Sequence, residues 1–231
     1  MEPIKLLLVE DDNDFRTIIK ESLELTGEYR VYEAKNGMEG LKAFKTFDLD
    51  IIVADIDMPV INGLEMVDLI RMDNLHIPIL VASALTNPEN LEEGFKHNID
   101  NYIKKPYIAR ELNGYVRAIL KRIVDNDRII TEGQKVLHVG SYLFDLENRR
   151  LIRHEHRKDL TRLEASILFL LCKDKGELVN RKDILNEVWG CDDFYHSRSL
   201  DVFINKLRKY LKDDKSIEIV TQRGKGLKLL F

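Results

Sequence analysis

The stretch DIIVADIDMP, residues 50–59, reads as a buried strand that ends on a carboxylate. Ile51, Ile52, Val53 and Ala54 run without alternation into Asp55, and Asp57 follows two places on. A short unbroken apolar run suits a strand covered on both faces, as in parallel sheets flanked by helices. Ending such a strand on a carboxylate is costly unless other groups gather around it.

The flanking sequence repeats the pattern. Residues 4–9 (IKLLLV) read as a first strand, and DNDFRTIIKESLEL as a helix capped by Asp12 with Phe15, Ile18, Ile19 and Leu23 on one face. Val31–Ala34 is a second strand and NGMEGLKAFKTF a second helix; GLEMVDLIRM follows the Asp55 strand as a third helix. IPILVAS (77–83) is a fourth strand, NPENLEEGFKHN a helix opened by Pro88, NYIKKP carries a fifth strand, and YIARELNGYVRAILKR is a last helix. Five strands alternating with five helices predict an α/β domain over residues 1–121, a doubly wound five-stranded parallel sheet.

In such a sheet the C-terminal strand ends share one crevice. The first strand delivers Glu10, Asp11 and Asp12, the third Asp55, the fourth Ser83, and the fifth leads to Lys104, Lys105 and Pro106. Clustered carboxylates repel one another, and a hard cation with oxygen ligands, Mg²⁺, relieves the repulsion. With that charge neutralised, Asp55 can attack a phosphoryl group, and Ser83 and Lys105 offer donors to its oxygens. Asp12 by itself is read as a helix cap, and Asp57 as a residue that turns its backbone carbonyl to the cation.

Residues 122–133 (RIVDNDRIITEG) lose the helical periodicity and are expected to form a linker. Beyond them VLHV, YLFDL, RLIR and KDLT read as short strands. LEASILFLLCK, RKDILNEVWG and SLDVFINKLRKYLK read as helices, and IEIVTQRGKGLKLLF as a closing β-hairpin. Residues 134–231 are thus a second, α+β domain. On helix 198–211, Leu200, Phe203, Ile204, Leu207 and Leu211 form an apolar stripe, and Arg198, Asp201, Asn205, Lys206, Arg208 and Lys209 fall largely elsewhere. Amide and cationic side chains of this kind can read base edges or bind phosphates.

Charge divides the same way. Residues 1–133 carry a net −9 and residues 134–231 a net +5, which suits a polyanion as partner of the back half. The chain is 44% hydrophobic, yet no apolar run approaches the ~20 residues that cross a bilayer. The opening MEPIKLLLVEDD has acids where an export signal has small residues, so a cytoplasmic setting is expected. Cys172 and Cys191 have neither CxxC spacing nor a neighbouring His cluster and are read as packing residues; the six histidines show no metal-ligand spacing.

On VED at 9–11, Asp55 followed by MP (58–59) and NG (62–63), Ser83–Ala84, and Tyr102 with KP at 105–106, residues 1–121 resemble the receiver domain of two-component response regulators, a flavodoxin-like fold. The resemblance implies Asp55 as phosphoacceptor, with Mg²⁺ held among Glu10, Asp11, Asp55 and the Asp57 carbonyl. It implies Ser83 and Tyr102 as a switch pair and Lys105 as the contact to the phosphoryl group. The phosphodonor would be a sensor histidine kinase or acetyl phosphate.

On LTRLEASILFLL (160–171), VWG (188–190), RSLDVFINKLRKYL (198–211) and TQRGKG (221–226), residues 134–231 resemble the winged-helix effector domain of the OmpR/PhoB family. That implies double-stranded DNA with paired half-sites as ligand, the 198–211 helix in the major groove and the hairpin in the adjacent minor groove. Arg198, Asn205, Lys206 and Arg208 would face DNA, with Thr221, Arg223 and Lys225 in the wing. Segment 191–197, with Phe194 and Tyr195, would face RNA polymerase. The whole is expected to be a non-catalytic transcription regulator whose only chemistry is gain and loss of phosphate at Asp55.

Regulators of this family pair their receivers through the region of Leu91, Asn101, Glu111, Tyr115 and Arg117. Leu91 stands where a basic residue is usual, Asn101 where Asp is usual and Tyr115 where Arg is usual. One expected ion pair is lost at both ends, leaving a neutral Asn101–Tyr115 contact. The alternative is therefore a phosphorylation-independent DNA-binding regulator with the receiver as a constitutive dimerisation module. Asp55-Ile56-Asp57 also resembles the DxD of haloacid-dehalogenase-type phosphatases, but there the motif ends the first strand, and here the third.

Overall fold

The apolar run 51–54 lies at the centre of a parallel sheet in the computed structural model, which describes residues 2–84, 94–131 and 135–231. Its strands are β1 (Ile4–Val9), β2 (Tyr29–Ala34), β3 (Ile51–Asp55), β4 (Ile79–Ser83) and β5 (Asn101–Lys104), in the order β2-β1-β3-β4-β5. Every residue of β3 and β4 is buried, which accounts for their unbroken apolar sequences. Helices α1 (Asn13–Glu24), α2 (Gly37–Thr46), α3 (Gly63–Asp73) and α4 (Ala109–Thr131) complete the described front half.

Register fixes what meets at the strand ends. Val9 lies opposite Ala54, which sets Glu10 beside Asp55. Asp55 lies opposite Ala82, and Ser83 opposite Lys104, so Ser83 and Lys105 follow one step beyond. The chain reverses its direction of strand addition between β1 and β3, where ligands of open α/β sheets bind.

Two expectations need correction. In α1 the buried residues are Arg16, Ile19 and Leu23, whereas Ile18 is 60% exposed. Arg16 turns inward because its guanidinium finds the Glu10 carbonyl at 2.6 Å and Asn13 Oδ1 at 2.7 Å. The last helix of the front half runs on to Thr131, past the expected end at Arg122, since no Pro or Gly interrupts the chain between Tyr115 and Thr131. Of the helix expected over 87–98, residues 94–96 are helical and 97–98 form a turn, while 87–93, with Leu91, lie outside the described residues.

A buried arginine ties the far end of the sheet. Arg71, at the end of α3, donates from Nε to the Asn98 carbonyl at 2.9 Å and from Nη1 to those of Ile77 at 2.7 Å and Asn74 at 3.2 Å. Its Nη2 meets Asp100 Oδ2 at 2.8 Å, and the same oxygen accepts the Ile79 N–H. One side chain thereby satisfies carbonyls that no ladder reaches.

Contacts divide the chain into two units, Met1–Ile119 and Leu120–Phe231. The second opens with an antiparallel sheet, β6 (Val136–Val139), β7 (Tyr142–Asp145), β8 (Arg150–Arg153) and β9 (His156–Asp159), paired in chain order. The last strand ends two residues earlier than the KDLT pattern suggested. Its turn is set by His154 at φ 54°, and Thr161 is taken as the cap of α5 (Arg162–Lys173), in a capping box with Glu164. Then follow β10 (Val179–Asn180), α6 (Arg181–Trp189) and α7 (Phe194–Leu211). The hairpin β11 (Glu218–Gln222) and β12 (Gly226–Leu230) makes a three-stranded sheet with β10, a winged-helix arrangement. Gly226 has to be glycine: a Cβ there would stand 2.0 Å from the Val179 carbonyl oxygen, across the β10–β12 pair.

Truncating Arg71 to alanine takes the cation away from the half-buried Asp100 carboxylate, so Arg71→Ala is expected to destabilise the front unit by about 3–5 kcal/mol in urea unfolding. A loss below about 1 kcal/mol would mean that the pair behaves as a solvated surface bridge.

Candidate functional sites

The first site is built from strand ends. Asp55 closes β3 and is 6% exposed; Glu10 follows β1 and is 1% exposed. Lys105 follows β5, and its Nζ lies 2.5 Å from Asp55 Oδ2 and 2.8 and 2.7 Å from the two Glu10 oxygens. Asp11 is exposed at the rim, and one oxygen each of Glu10, Asp11 and Asp55 fall within 4.8 Å of one another. An open cleft of about 540 Å³ lies over these groups, lined also by Asp12, Phe15, Ala84 and Pro106.

Electrostatics follows from burial. Desolvation raises the Glu10 pKa, with the Asp55 charge adding to it and Lys105 opposing. Burial by itself would lower the Lys105 pKa, but hydrogen bonds to Asp55 and Glu10 outweigh it and the net shift is upward. The bridging ammonium is therefore firmly charged. Beneath it Phe15 meets Tyr107 edge-on at 5.1 Å, with Lys105 Nζ 5.4 Å from the Phe15 centroid.

The remaining residues expected here are placed as follows. Asp12 caps α1, its Oδ1 accepting the Asp14 and Phe15 N–H groups at 3.0 Å. Asp57 has an exposed side chain, and its N–H donates to Asp55 Oδ1 at 3.2 Å. Ser83 is buried at the end of β4, and its carbonyl accepts the Lys105 N–H at 2.9 Å. Tyr102 is buried in β5 opposite Val81. Gly63, at the start of α3, comes so close that a Cβ would lie 2.1 Å from the Asp55 carbonyl oxygen. This is the reason for the glycine of the NG pair.

Of the residues assigned to pairing of receivers, Asn101 is only 2% exposed, and Tyr115 is 38% exposed. The Glu111 carboxylate accepts the Ile108 N–H at 3.2 Å, and Arg117 is paired with Glu28.

The second site is the outer face of α7 with the hairpin. Leu200, Phe203, Ile204, Leu207 and Leu211 are all buried, as the stripe predicts, each worth about 1.5–3 kcal/mol of burial. Arg198 and Asn205 are exposed, and Lys206 is half-buried with its Nζ 5.3 Å from the Phe203 centroid. Thr221, Arg223 and Lys225 are exposed around the hairpin turn, which the Lys225 N–H closes on the Gln222 carbonyl at 3.0 Å, with Gly224 at φ 70°.

Arg208 is engaged within the domain. Its Nε and Nη2 donate to the Ile219 carbonyl at 3.1 and 2.6 Å, and Nη2 reaches Thr221 Oγ1 at 2.8 Å. It thus clamps α7 to β11. Arg181, the first residue of α6, ties that helix to the other end of α7, through Ser197 Oγ at 2.8 Å and Asp201 at 2.9 Å. Sequence periodicity places these arginines on a polar face but carries no signal of their inward-bent conformations. Trp189 is 3% exposed, a core residue.

One cluster escaped the sequence reading. Cys191, Asp193 and His196 converge before and within the first turn of α7. The signal was there in the spacing C-x-D-x-x-H, but it binds together only where a helix begins between the Cys and the His.

Residues 6–117 match the response regulator receiver domain family, and residues 155–229 the family described as transcriptional regulatory protein, C terminal. The chain is 36% identical to the transcriptional regulatory protein RprY of Bacteroides fragilis, over 99% of its own length and 95% of that protein. It is 35% identical to the probable transcriptional regulator ycf27 of Cyanidium caldarium, over 96% of its length and 92% of that protein. A solved structure of a RitR mutant shares the fold with a TM-score of 0.79 at 22% identity, covering 98% of each chain.

Replacing Arg208 by lysine keeps the charge but cannot span Ile219 and Thr221. Amide exchange of the β11 strand is therefore expected to quicken about tenfold in Arg208→Lys. Unchanged protection would mean that the clamp contributes nothing to the hairpin.

Proposed function

Because the chain belongs to the response regulators of the OmpR/PhoB type, transcriptional regulators that join a receiver to a DNA-binding domain, we propose that phosphorylation of Asp55 by a sensor histidine kinase controls its hold on DNA. The observation that carries this is the Lys105 bridge, an ammonium held between Glu10 and Asp55 at the floor of an open cleft. Residues 1–121 act as the receiver, 134–231 as the effector, and 122–133 connect them.

Three carboxylates against one lysine leave two negative charges in excess, and Glu10 Oε2 is enclosed without a hydrogen bond of good geometry. An all-oxygen donor set with that charge suits Mg²⁺, held by Glu10, Asp11, Asp55 and the Asp57 carbonyl. The ion would supply charge compensation for the phosphoryl oxygens. Asp55 then forms an O–P bond as the donor's bond to phosphorus breaks, and Lys105 transfers a hydrogen bond from Asp55 to a phosphoryl oxygen. The Ser83 hydroxyl offers a second donor, and Tyr102 follows its movement. Such a switch is a shift of population and requires that DNA favour the phosphorylated form.

On the effector, Arg198, Asn205 and Lys206 would enter the major groove, while Thr221, Arg223 and Lys225 would bring the wing to the backbone. Arg208 supports the reading as the clamp that holds helix and wing in one orientation. The partners are paired DNA half-sites, a second copy of the chain through Leu91, Asn101, Glu111, Tyr115 and Arg117, and RNA polymerase through 191–197. No helix among the described residues is long and apolar enough to cross a membrane, and a cytoplasmic setting fits a DNA ligand. The chemistry is confined to phosphate gained and lost at Asp55, without turnover of a free substrate.

A second reading is a regulator that binds DNA without phosphate and keeps the receiver as a constitutive dimer module. It draws support from Arg117, held by Glu28 in its own unit, and from Asn101, almost wholly buried. Neither side chain stands ready for a phosphate-dependent contact between copies.

Incubation with Mg²⁺ and acetyl phosphate is expected to add one phosphate to the intact mass, and Asp55→Ala to abolish the gain. Absence of any gain, with a cognate kinase also failing to label the protein, would leave the phosphate-independent reading. For the wing, Arg223→Ala is expected to shallow the log–log salt dependence of binding to duplex DNA by about 0.9, one phosphate contact. An unaltered slope would remove Arg223 from the interface.

A further inference from the structure

His196 lies in the first turn of α7 and is 2% exposed, its ring 5.8 Å from that of Trp189. Two side chains converge on its Nδ1: Asp193 Oδ2 at 2.8 Å and Cys191 Sγ at 3.2 Å. Asp193 is also the helix cap, its Oδ1 accepting the His196 N–H at 2.9 Å and its carbonyl the Ser197 N–H at 3.0 Å. Capping accounts for the first carboxylate oxygen. It does not account for the second, aimed at the imidazole, nor for a thiol on the same nitrogen. The thiol also lies 3.9 Å from the Trp189 carbonyl, to which its own proton can point, but one ion can engage the sulfur, oxygen and nitrogen together, since the three atoms lie within 4.8 Å of one another.

We propose that Cys191 Sγ, Asp193 Oδ2 and His196 Nδ1 form a binding site for a thiophilic divalent transition-metal ion, Zn²⁺ before others, with a fourth position open to water. Around a tetrahedral Zn²⁺ with bonds of ~2.0–2.3 Å, donor atoms stand roughly 3.3–3.7 Å apart. The pairs at 2.8 and 3.2 Å therefore need to open by only a few tenths of an ångström to about one. Binding expels the thiol proton to solvent, and the imidazole keeps its proton on Nε2, leaving Nδ1 to the metal. Burial pushes the Cys191 thiol pKa up, with the Asp193 charge adding to it and the nearby Arg122 guanidinium only partly opposing, so the ion itself has to displace the thiol proton. The mixed S, N and O donors separate this site from the all-oxygen pocket of Glu10, Asp11 and Asp55, whose chemistry favours Mg²⁺. Occupancy would tie Cys191, two residues beyond α6, to the first turn of α7. Any effect on DNA rests on the regulator reading, but metal binding does not.

The test is Co²⁺ titration of the full-length protein in excess Mg²⁺, read by absorbance. A thiolate-to-cobalt charge-transfer band saturating at one equivalent, and bleached by Zn²⁺, is expected. Cys191→Ser should remove it and Cys172→Ser should leave it. Asp193→Asn keeps a capping side chain, so the helix is retained, but Co²⁺ affinity should fall at least the ~10-fold that even outer-shell changes cost. Failure to see a band overturns the site, as does a band that survives Cys191→Ser, or unchanged affinity in both Asp193→Asn and His196→Gln.

Discussion

Lys105, seated between Glu10 and Asp55, is the interaction on which the front unit turns. Two carboxylates within 4.8 Å of each other repel by on the order of 3 kcal/mol at the dielectric suited to protein sites. Burial adds to the cost, which is why the Glu10 pKa rises. The sheet could not close with both groups ionised at adjacent strand ends unless a cation arrived from elsewhere. It comes from β5, two strands away from β3, and the Lys105 N–H anchors the approach on the Ser83 carbonyl. Register, charge and access to the cleft are thus one constraint.

Arginines carry a comparable duty elsewhere. Arg16 reaches the Glu10 carbonyl, Arg71 the carbonyls of Asn74, Ile77 and Asn98, Arg181 the Ser197 carbonyl and Arg208 that of Ile219. The Glu10, Asn74, Ile77 and Asn98 carbonyls lie beside helix or strand ends, and that of Ile219 on the edge strand β11, where the backbone ladder leaves acceptors over. The planar fork suits the task because it donates in several fixed directions at once. In the effector this has a consequence for recognition. Arg208 and Arg181 hold α7 at both ends, so the exposed Arg198 and Asn205 are presented from a helix whose roll and tilt are already set.

The fold was legible to a large extent because its signals are local. IIVA and ILVAS announce doubly buried strands, the Asn62 and Thr161 capping boxes mark helix starts, and the five-residue apolar stripe of α7 gives its buried face. The misreadings have physical causes. Ile18 was assigned to a buried face that Arg16 occupies, because a hydrophobic pattern gives no weight to a guanidinium with carbonyls to satisfy. The continuation of α4 to Thr131 was missed because its periodicity weakens, although nothing in the segment breaks a helix.

By itself the sequence determined the order of strands and helices and which residues stand at the strand ends, since apolar periodicity, caps and turn residues act over a few positions. Tertiary structure alone decided that Lys105 bridges Glu10 and Asp55, that Arg208 folds back on Ile219 and Thr221, and that Cys191 and His196 meet across a helix start. Long polar side chains choose among partners distant in sequence, and the choice is made by desolvation and distance once the elements have docked.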